Sequence, residues 1–301
     1  MVIWRFTDGK AGHEAQTRGL VQALADLNTL ETHHFATVPT GASLFDLLLR
    51  RCRSGTSAPD PDLIIGAGSA THLPMLAAKR ARGGRLIVLM RPSLPLSWFD
   101  LVVAPEHDGI KERGNMMVTR GALTDVRPSS AHDPANGLIL AGGPSAHFRW
   151  SDEQVVAQVV SIVEETTGVR WTLTTSRRTP SSFLPMLAAR APSALDIVPV
   201  ERTDRSWLLD ALAQAGTVWV SADSMSMVCD AVTSGGAVGL IDLPGKCASR
   251  VARGMAGFES AGLVTTYAAW RHGARPAPPA VPFNEAARVA AEIQKLWPAP
   301  A

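Results

Sequence analysis

One stretch constrains this chain more than any other: an apolar run at 217–220, a small polar loop (Ser221-Ala222-Asp223-Ser224), a helix ending at Gly235-Gly236, and a second apolar run at 237–241. Strand, loop, helix, strand in about 25 residues is the βαβ unit of a parallel sheet, with glycine at the helix end where a left-handed residue is needed. In an open α/β sheet the ligand groove lies outside the carboxyl ends of the strands, which is where this loop falls. The stretch then reads in two ways. It is an ordinary strand–turn–helix with a Ser/Asp cap, or Asp223, Ser224, Met225, Ser226 and Met227 line a pocket over a helix start rich in free N–H groups. On the second reading Asp230, about two turns further on, accepts from ribose hydroxyls.

The same plan recurs. Residues 2–7 form a first strand running into Asp8-Gly9-Lys10-Ala11-Gly12-His13-Glu14 and then a helix with Leu20, Val21, Leu24 and Leu27 on one face. Gly9 and Gly12 permit a tight turn and close approach of backbone to a ligand, while Lys10 and His13 bring a cation and a titratable imidazole to one place. Residues 137–141 start another strand, followed by Gly142-Gly143-Pro144-Ser145 and a helix capped at 151–153. At 301 residues, two domains of about 150 each are the natural prior. The expected division is 1–134 and 135–283, with the polar, proline-bearing segment 129–136 as linker and the helix 284–297 packing back on the first domain.

Between these landmarks further loops fall at strand ends. Gly66-Ala67-Gly68-Ser69-Ala70-Thr71-His72 follows a buried strand; its Gly-x-Gly lacks the full dinucleotide fingerprint, and His72 either caps the next helix or touches a ligand. Arg91, Glu106 with His107, and Arg120 end three further segments. Ser176-Arg177-Arg178-Thr179-Pro180 sets paired arginines at a strand's carboxyl end, an arrangement suited to gripping phosphate. Residues 33–38 read as a second strand. The helix at 43–53 joins a heavy apolar load to a basic end. It either faces the core, its cations complementing the helix dipole, or lies on an anionic membrane surface.

Composition excludes several classes. A formal charge of +2 is no polyanion-binding surface, so nucleic acid is not an expected partner. The three cysteines, Cys52, Cys229 and Cys247, lie far apart with no zinc spacing and fit a reducing compartment. The first residues lack a signal peptide's basic and apolar regions, and no apolar run approaches the ~20 residues of a membrane span. A cytoplasmic protein is expected, peripheral on the inner membrane face if the 43–53 helix makes contact there.

Two α/β halves, each with a glycine loop after its first strand, resemble the GT-B glycosyltransferase architecture: two Rossmann-like α/β domains whose parallel sheets face across a cleft. Ala11-Gly12-His13 resembles the Gly-Gly-His loop of the lipid-linked N-acetylglucosaminyltransferases of peptidoglycan synthesis, and residues 230–235 resemble their helix whose carboxylate binds the donor ribose. More specifically, residues 8–14, 99–108, 119–123, 176–180 and 223–227 resemble the bacterial and plant mitochondrial-fission ELM-type family, a GT-B-like group. Cys229-Asp230 departs from the Ser-Glu expected there, and the shorter carboxylate reaches less far.

The resemblance implies sugar transfer from a nucleotide-diphosphate sugar held by the second domain to an acceptor bound by the first, an envelope or lipid-linked hydroxyl. No metal or other cofactor is expected. The leaving group's charge falls instead to Arg177, Arg178, Ser176 and the N–H groups of Gly142, Gly143 and Ser145. Asp230 holds the ribose, with Ser224 and Ser226 lining the pocket. His13 takes the acceptor's proton, a task suited to an imidazole, whose ordinary pKa is ~6.5, and Lys10 pairs with phosphate. Gly9, Gly12, Gly68, Ser69, Arg91, Glu106, His107 and Arg120 line the acceptor side. Two other readings stand beside this one: a binding or scaffold protein without turnover, and a nucleotide-sugar epimerase, since hydrolysing 2-epimerases share the architecture.

Overall fold

A computed structural model describes residues 1–37, 40–52, 57–109, 111–246 and 249–298. Val38 of the expected second strand, Arg53 of the expected basic helix end, and Cys247 lie outside the described residues. Contacts divide the chain into two compact units: Met1–Asp125 with the C-terminal segment from Asn284, and Val126–Phe283.

The first unit runs β1 (Val2–Thr7), α1 (Ala11–Ala25), β2 (Glu31–Ala36), α2 (Thr40–Leu48), β3 (Leu63–Ala67), α3 (Ser69–Arg82), β4 (Arg85–Leu89), β5 (Leu101–Pro105) and β6 (Met116–Thr119). Its sheet has the order β2-β1-β3-β4-β5-β6, every pair parallel. β3 and β5 are buried along their whole length and β4 after its first residue, as expected of parallel strands covered by helices on both faces.

The second unit follows the same logic: β7 (Asp133–Leu140), α4 (Asp152–Glu165), β8 (Arg170–Thr174), α5 (Phe183–Ala188), β9 (Leu195–Val198), α6 (Arg205–Gln214), β10 (Ala215–Ser221), α7 (Met225–Ser234), β11 (Ala237–Ile241), α8 (Arg250–Ser260), β12 (Thr265–Thr266) and α9 (Tyr267–Arg271). Its order is β12-β11-β10-β7-β8-β9, again all parallel. The chain then returns to the first unit through α10 (Glu285–Leu296).

In the first unit Ile3, Leu63 and Ile65 pack with Leu20 and Leu24 of α1 and with Val289 and Ile293 of α10. The alternate residues Trp4, Phe6 and Ile64 pack with Met75 and Ala78 of α3. α1 and α3 therefore cover opposite faces. α10 is further pinned where the Arg120 N–H donates to Glu285 Oε2 at 3.1 Å and Arg288 donates to the Val118 carbonyl at 2.7 Å. In the second unit two tryptophans lie across glycines on the adjoining strand, Trp171 against Gly137 and Trp219 against Gly239. A Cβ at either glycine would sit 2.3–2.5 Å from the ring.

Two sequence expectations need correction. The segment 129–136 is no loose linker. β7 begins at Asp133, the Ser129 N–H donates to the Ser234 carbonyl at 2.9 Å, and His132 reaches the Ala215 and Ser234 carbonyls at 2.7 and 2.9 Å. Backbone groups of the second unit recruit it. The helix expected at 43–53 ends at Leu48, and its core-facing reading fails: Ser43 and Asp46 are buried, whereas Leu44, Phe45, Leu48 and Leu49 are exposed.

The Trp219–Gly239 contact gives a stability prediction. Trp219 is buried and has no room to withdraw, so Gly239→Ala should destabilise the chain by about 1–3 kcal/mol, the usual cost of overpacking. Urea unfolding should show a lower midpoint at unchanged slope; an unshifted midpoint would mean that the ring yields freely.

Candidate functional site

Winding fixes where a site can form. In the first unit the chain leaves β1 for β2 on one side and then crosses to β3 on the other, so the connections after β1 and β3 diverge and leave a crevice between their carboxyl ends. The second unit reverses in the same way between β7 and β10. Each crevice holds one of the loops expected to be functional.

At the first crevice the Asp8 side chain, 3% exposed, lies 2.9 Å through Oδ2 and 3.1 Å through Oδ1 from Nδ1 of His13, in the first turn of α1. Asp8 Oδ1 also accepts the Lys10 N–H at 3.2 Å. A carboxylate only accepts, so it selects the imidazole tautomer with hydrogen on Nδ1 and leaves the Nε2 lone pair for another partner. Among the described residues Nε2 has none. Gly68, at the end of β3, lies against the ring: with φ +85° it has the left-handed backbone that favours glycine, and a Cβ there would come 2.5 Å from His13 Cε1 and Nδ1. Beneath, the buried Arg5 donates to Thr17 Oγ1 at 2.8 Å and to the Glu14 carbonyl at 3.0 Å, and pairs with the Glu14 carboxylate. Thr17 Oγ1 donates to the His13 carbonyl at 3.1 Å. The first turn of α1 is thus held from below.

The other first-unit candidates separate. Lys10 is exposed, its ammonium 3.9 Å from Asp8. Gly9 supplies the left-handed turn at φ +75°, and Gly12 and Ser69 are exposed in the first turns of α1 and α3. Arg91, following β4, contacts the Asp108 carbonyl at 3.5 Å. Glu106 and His107 follow β5 and Arg120 follows β6, where its N–H is held by Glu285. With strands ~4.8 Å apart, β6 lies roughly 19 Å from β1. Arg91, Glu106, His107 and Arg120 do not join the Asp8–His13 pair.

At the second crevice the donors turn inward. The Gly142 N–H donates to Ser221 Oγ at 2.7 Å, Ser221 donates to Asp223 Oδ1 at 2.6 Å, and the Gly143 N–H donates to Asp223 Oδ2 at 3.2 Å. Arg178 Nη2 closes the knot on Asp223 Oδ2 at 2.6 Å, while its Nη1 reaches the Gly143 and Pro144 carbonyls at 3.3 and 3.2 Å. This corrects two expectations. The amides of Gly142 and Gly143 are taken by the protein and do not face a leaving group, because a buried Asp223 must be fully hydrogen-bonded. Asp223 for the same reason is an internal acceptor. Cβ atoms at Gly142 and Gly143 would meet the Asp223 carboxylate and the Arg178 carbonyl at 2.2 Å, so only glycine lets the loops close this far. Ser176 ties into the same knot, its N–H donating to Thr179 Oγ1 at 2.8 Å.

Three features remain outward. The start of α7 is uncapped: Ser224 makes no side-chain cap, Ser226 is exposed and Met227 half-exposed, although Met225 is buried. Arg177 is exposed. Lys246 donates to the Ser145 carbonyl at 2.8 Å, and Ser145 Oγ accepts from the His147 and Phe148 N–H groups. Cations and free helix N–H groups at one crevice suit an anion. Asp230 stands apart. It is buried and paired with Arg205, the first residue of α6, at 2.6 Å, so the expected ribose carboxylate is already engaged by a guanidinium.

Comparison with known proteins identifies the family and the fold. The sequence pattern of the family described as Mitochondrial fission ELM1 matches residues 11–297. The chain belongs to the mitochondrial fission ELM1 family. An uncharacterised protein of Rickettsia prowazekii (strain Madrid E) is 22% identical, the match covering 78% of this chain and 81% of that protein. The UDP-GlcNAc 2-epimerase of Methanocaldococcus jannaschii superposes with a TM-score of 0.63 at 10% identity, over 98% of this chain and 99% of that one. MurG of Acinetobacter baumannii gives 0.51 at 13%, over 98% and 99%. At such identities the likeness is one of fold, and this ELM1-family chain is a GT-B-like protein of two Rossmann-like α/β units.

On the sequence alone no role falls to Asp8, Ser221, Arg205 or Lys246. Two signals were present: Asp8 ends the strand five residues before His13, and Ser221-x-Asp223 places two polar groups on the same side of a strand end. Arg205 and Lys246 carried none.

His72 settles differently from either expectation. It lies in α3, buried against the edge of Phe99 at 5.4 Å between ring centroids, and burial lowers its pKa from the ordinary value. Below pH ~6.5 the unfolded chain takes up this proton while the folded chain resists it, so stability falls as the pH drops through that value. Chemical denaturation between pH 7.5 and 5.5 should show a decline of at most about 1.4 kcal/mol per pH unit from this residue. His72→Leu should make the decline shallower; an unaltered slope would mean that the folded imidazole titrates normally.

Proposed function

We propose that this chain is a glycosyltransferase of GT-B type, acting in the cytoplasm on a nucleotide-diphosphate sugar, with an envelope or lipid-linked hydroxyl as acceptor. The observation that carries the reading is the Asp8–His13 pair: a buried carboxylate at 2.9 Å fixes the imidazole so that Nε2 is left to accept a proton. Donor binding is assigned to the second unit and proton removal to the first. A UDP-sugar is the donor class to try first, because one of the compared structures is a UDP-GlcNAc 2-epimerase.

In the proposed step the acceptor oxygen attacks the anomeric carbon while its proton passes to His13 Nε2. The bond from that carbon to the phosphate oxygen breaks, and the electron pair leaves with the nucleoside diphosphate. The growing negative charge is met by the free N–H groups at the start of α7, with Ser224 and Ser226 beside them, and by Arg177 and Lys246. Arg178 contributes what Asp223 leaves of its guanidinium, and Lys10 pairs with a substrate phosphate. The assignment uses no metal ion. Fixed dipoles and cations placed where charge develops are the usual largest contribution to such a step.

His13→Ala should leave donor affinity unchanged and lower kcat by about 10²–10⁴-fold, the usual share of a general base. Asp8→Asn should act in the same direction, since the tautomer is then no longer held. Undiminished transfer in His13→Ala would remove the histidine from the reaction. Arg177→Ala and Lys246→Ala should each weaken nucleotide binding by roughly tenfold, the scale of one charge-assisted hydrogen bond. The assay also separates the other readings: conversion of the sugar nucleotide without any acceptor would mark an epimerase. A folded chain whose melting temperature ignores every nucleotide and nucleotide sugar would mark a scaffold.

A further inference from the structure

α2 is built inside out. Its polar residues Ser43 and Asp46 are 1% and 5% exposed, whereas Leu44, Phe45, Leu48 and Leu49 are 49%, 51%, 65% and 45% exposed. Water-facing helices do the opposite, and clustered exposure of this kind marks a surface that something covers. The neighbouring Trp98, 47% exposed, lines with Leu47, Leu76, Lys79 and Arg80 an open pocket of about 440 Å³, so the apolar surface continues from α2 to the edge of α3. Arg50, Arg51 and Arg80 are exposed around it. The lone carboxylate of 40–52 is the buried Asp46, and α3 contains none. The surface therefore presents an aliphatic and aromatic tip within a rim of cations.

We propose that this face docks on the surface of an anionic lipid bilayer. With nine residues α2 spans about 14 Å, and no helix among the described residues is long and apolar enough to cross a membrane, so contact is in the interfacial plane. Leucines and phenylalanine enter the boundary between headgroups and acyl chains, Trp98 sits at headgroup level, and the arginines meet lipid phosphates. The rim selects this occupant over a second copy of the chain. A two-fold contact through this face would bring two such cationic rims into one interface with no exposed carboxylate from 40–52 or α3 to offset them, whereas anionic headgroups complement them.

The test is co-sedimentation of the full chain with vesicles of phosphatidylcholine alone and of phosphatidylcholine with phosphatidylglycerol. Binding to the anionic vesicles is expected, weakened about tenfold or more by high salt or by omission of the anionic lipid, as for polybasic attachment. Leu48→Glu and Phe45→Glu, both at exposed positions, should abolish it with the melting temperature kept, and Arg50→Glu with Arg51→Glu should do so with the apolar face intact. Failure to bind either vesicle would overturn the proposal. So would variants that bind like the parent, or a solution dimer that Leu48→Glu dissociates. Because no sugar transfer is read, the outcome stands independently of the glycosyltransferase reading.

Discussion

A parallel sheet points every strand's carboxyl end the same way, and helices crossing above it close most of the space between neighbouring connections. Where the order of winding reverses, the two connections depart to opposite faces and a crevice is left. This chain reverses twice, between β1 and β3 and between β7 and β10, and each reversal sets two loops side by side that are far apart in sequence. Asp8 and Gly68 meet at the first and Gly142 and Asp223 at the second. The chemistry of both places depends on that geometry, since no single segment carries a whole site.

Both crevices also rest on a buried carboxylate. Removing Asp8 or Asp223 from water is unfavourable unless each finds donors, and each does. Asp8 takes the His13 ring and the Lys10 amide; Asp223 takes Ser221, the Gly143 amide and Arg178. The carboxylates thereby order the groups around them. In the first unit the result is an oriented imidazole with one nitrogen open. In the second, three loops lock together, which consumes the glycine amides and leaves anion binding to the uncapped start of α7 and the cations near it. Asp230 with Arg205 is a third such pair, carried by α7 and α6.

The architecture was legible in the sequence because alternating strand and helix periodicities and terminal glycines are local. The loops expected to matter, 8–14, 66–72, 142–145, 176–180 and 221–227, all lie at strand ends in the structure. What could not be read is who bonds whom. Gly142 and Gly143 looked like donors to a ligand because glycine amides are exposed by default, and the partners that take them sit 79 and 80 residues later. Asp230 looked available because Arg205 lies on another helix. Arg91, Glu106, His107 and Arg120 also occupy strand ends, but strand order, which no local pattern encodes, sets them progressively farther from β1.

α2 shows the same limit from the other side. Its sequence is apolar almost all the way round, so periodicity alone does not say which face turns inward. In the structure Ser43 and Asp46 turn inward, and their place in the helical repeat leaves Leu44, Phe45, Leu48 and Leu49 on the outside. A helix that needed merely to fill a core would have hidden the leucines and shown the aspartate. That it does the reverse, beside exposed arginines and a half-exposed tryptophan, leaves an apolar face on the surface of the unit, and on that face the proposed bilayer docking rests.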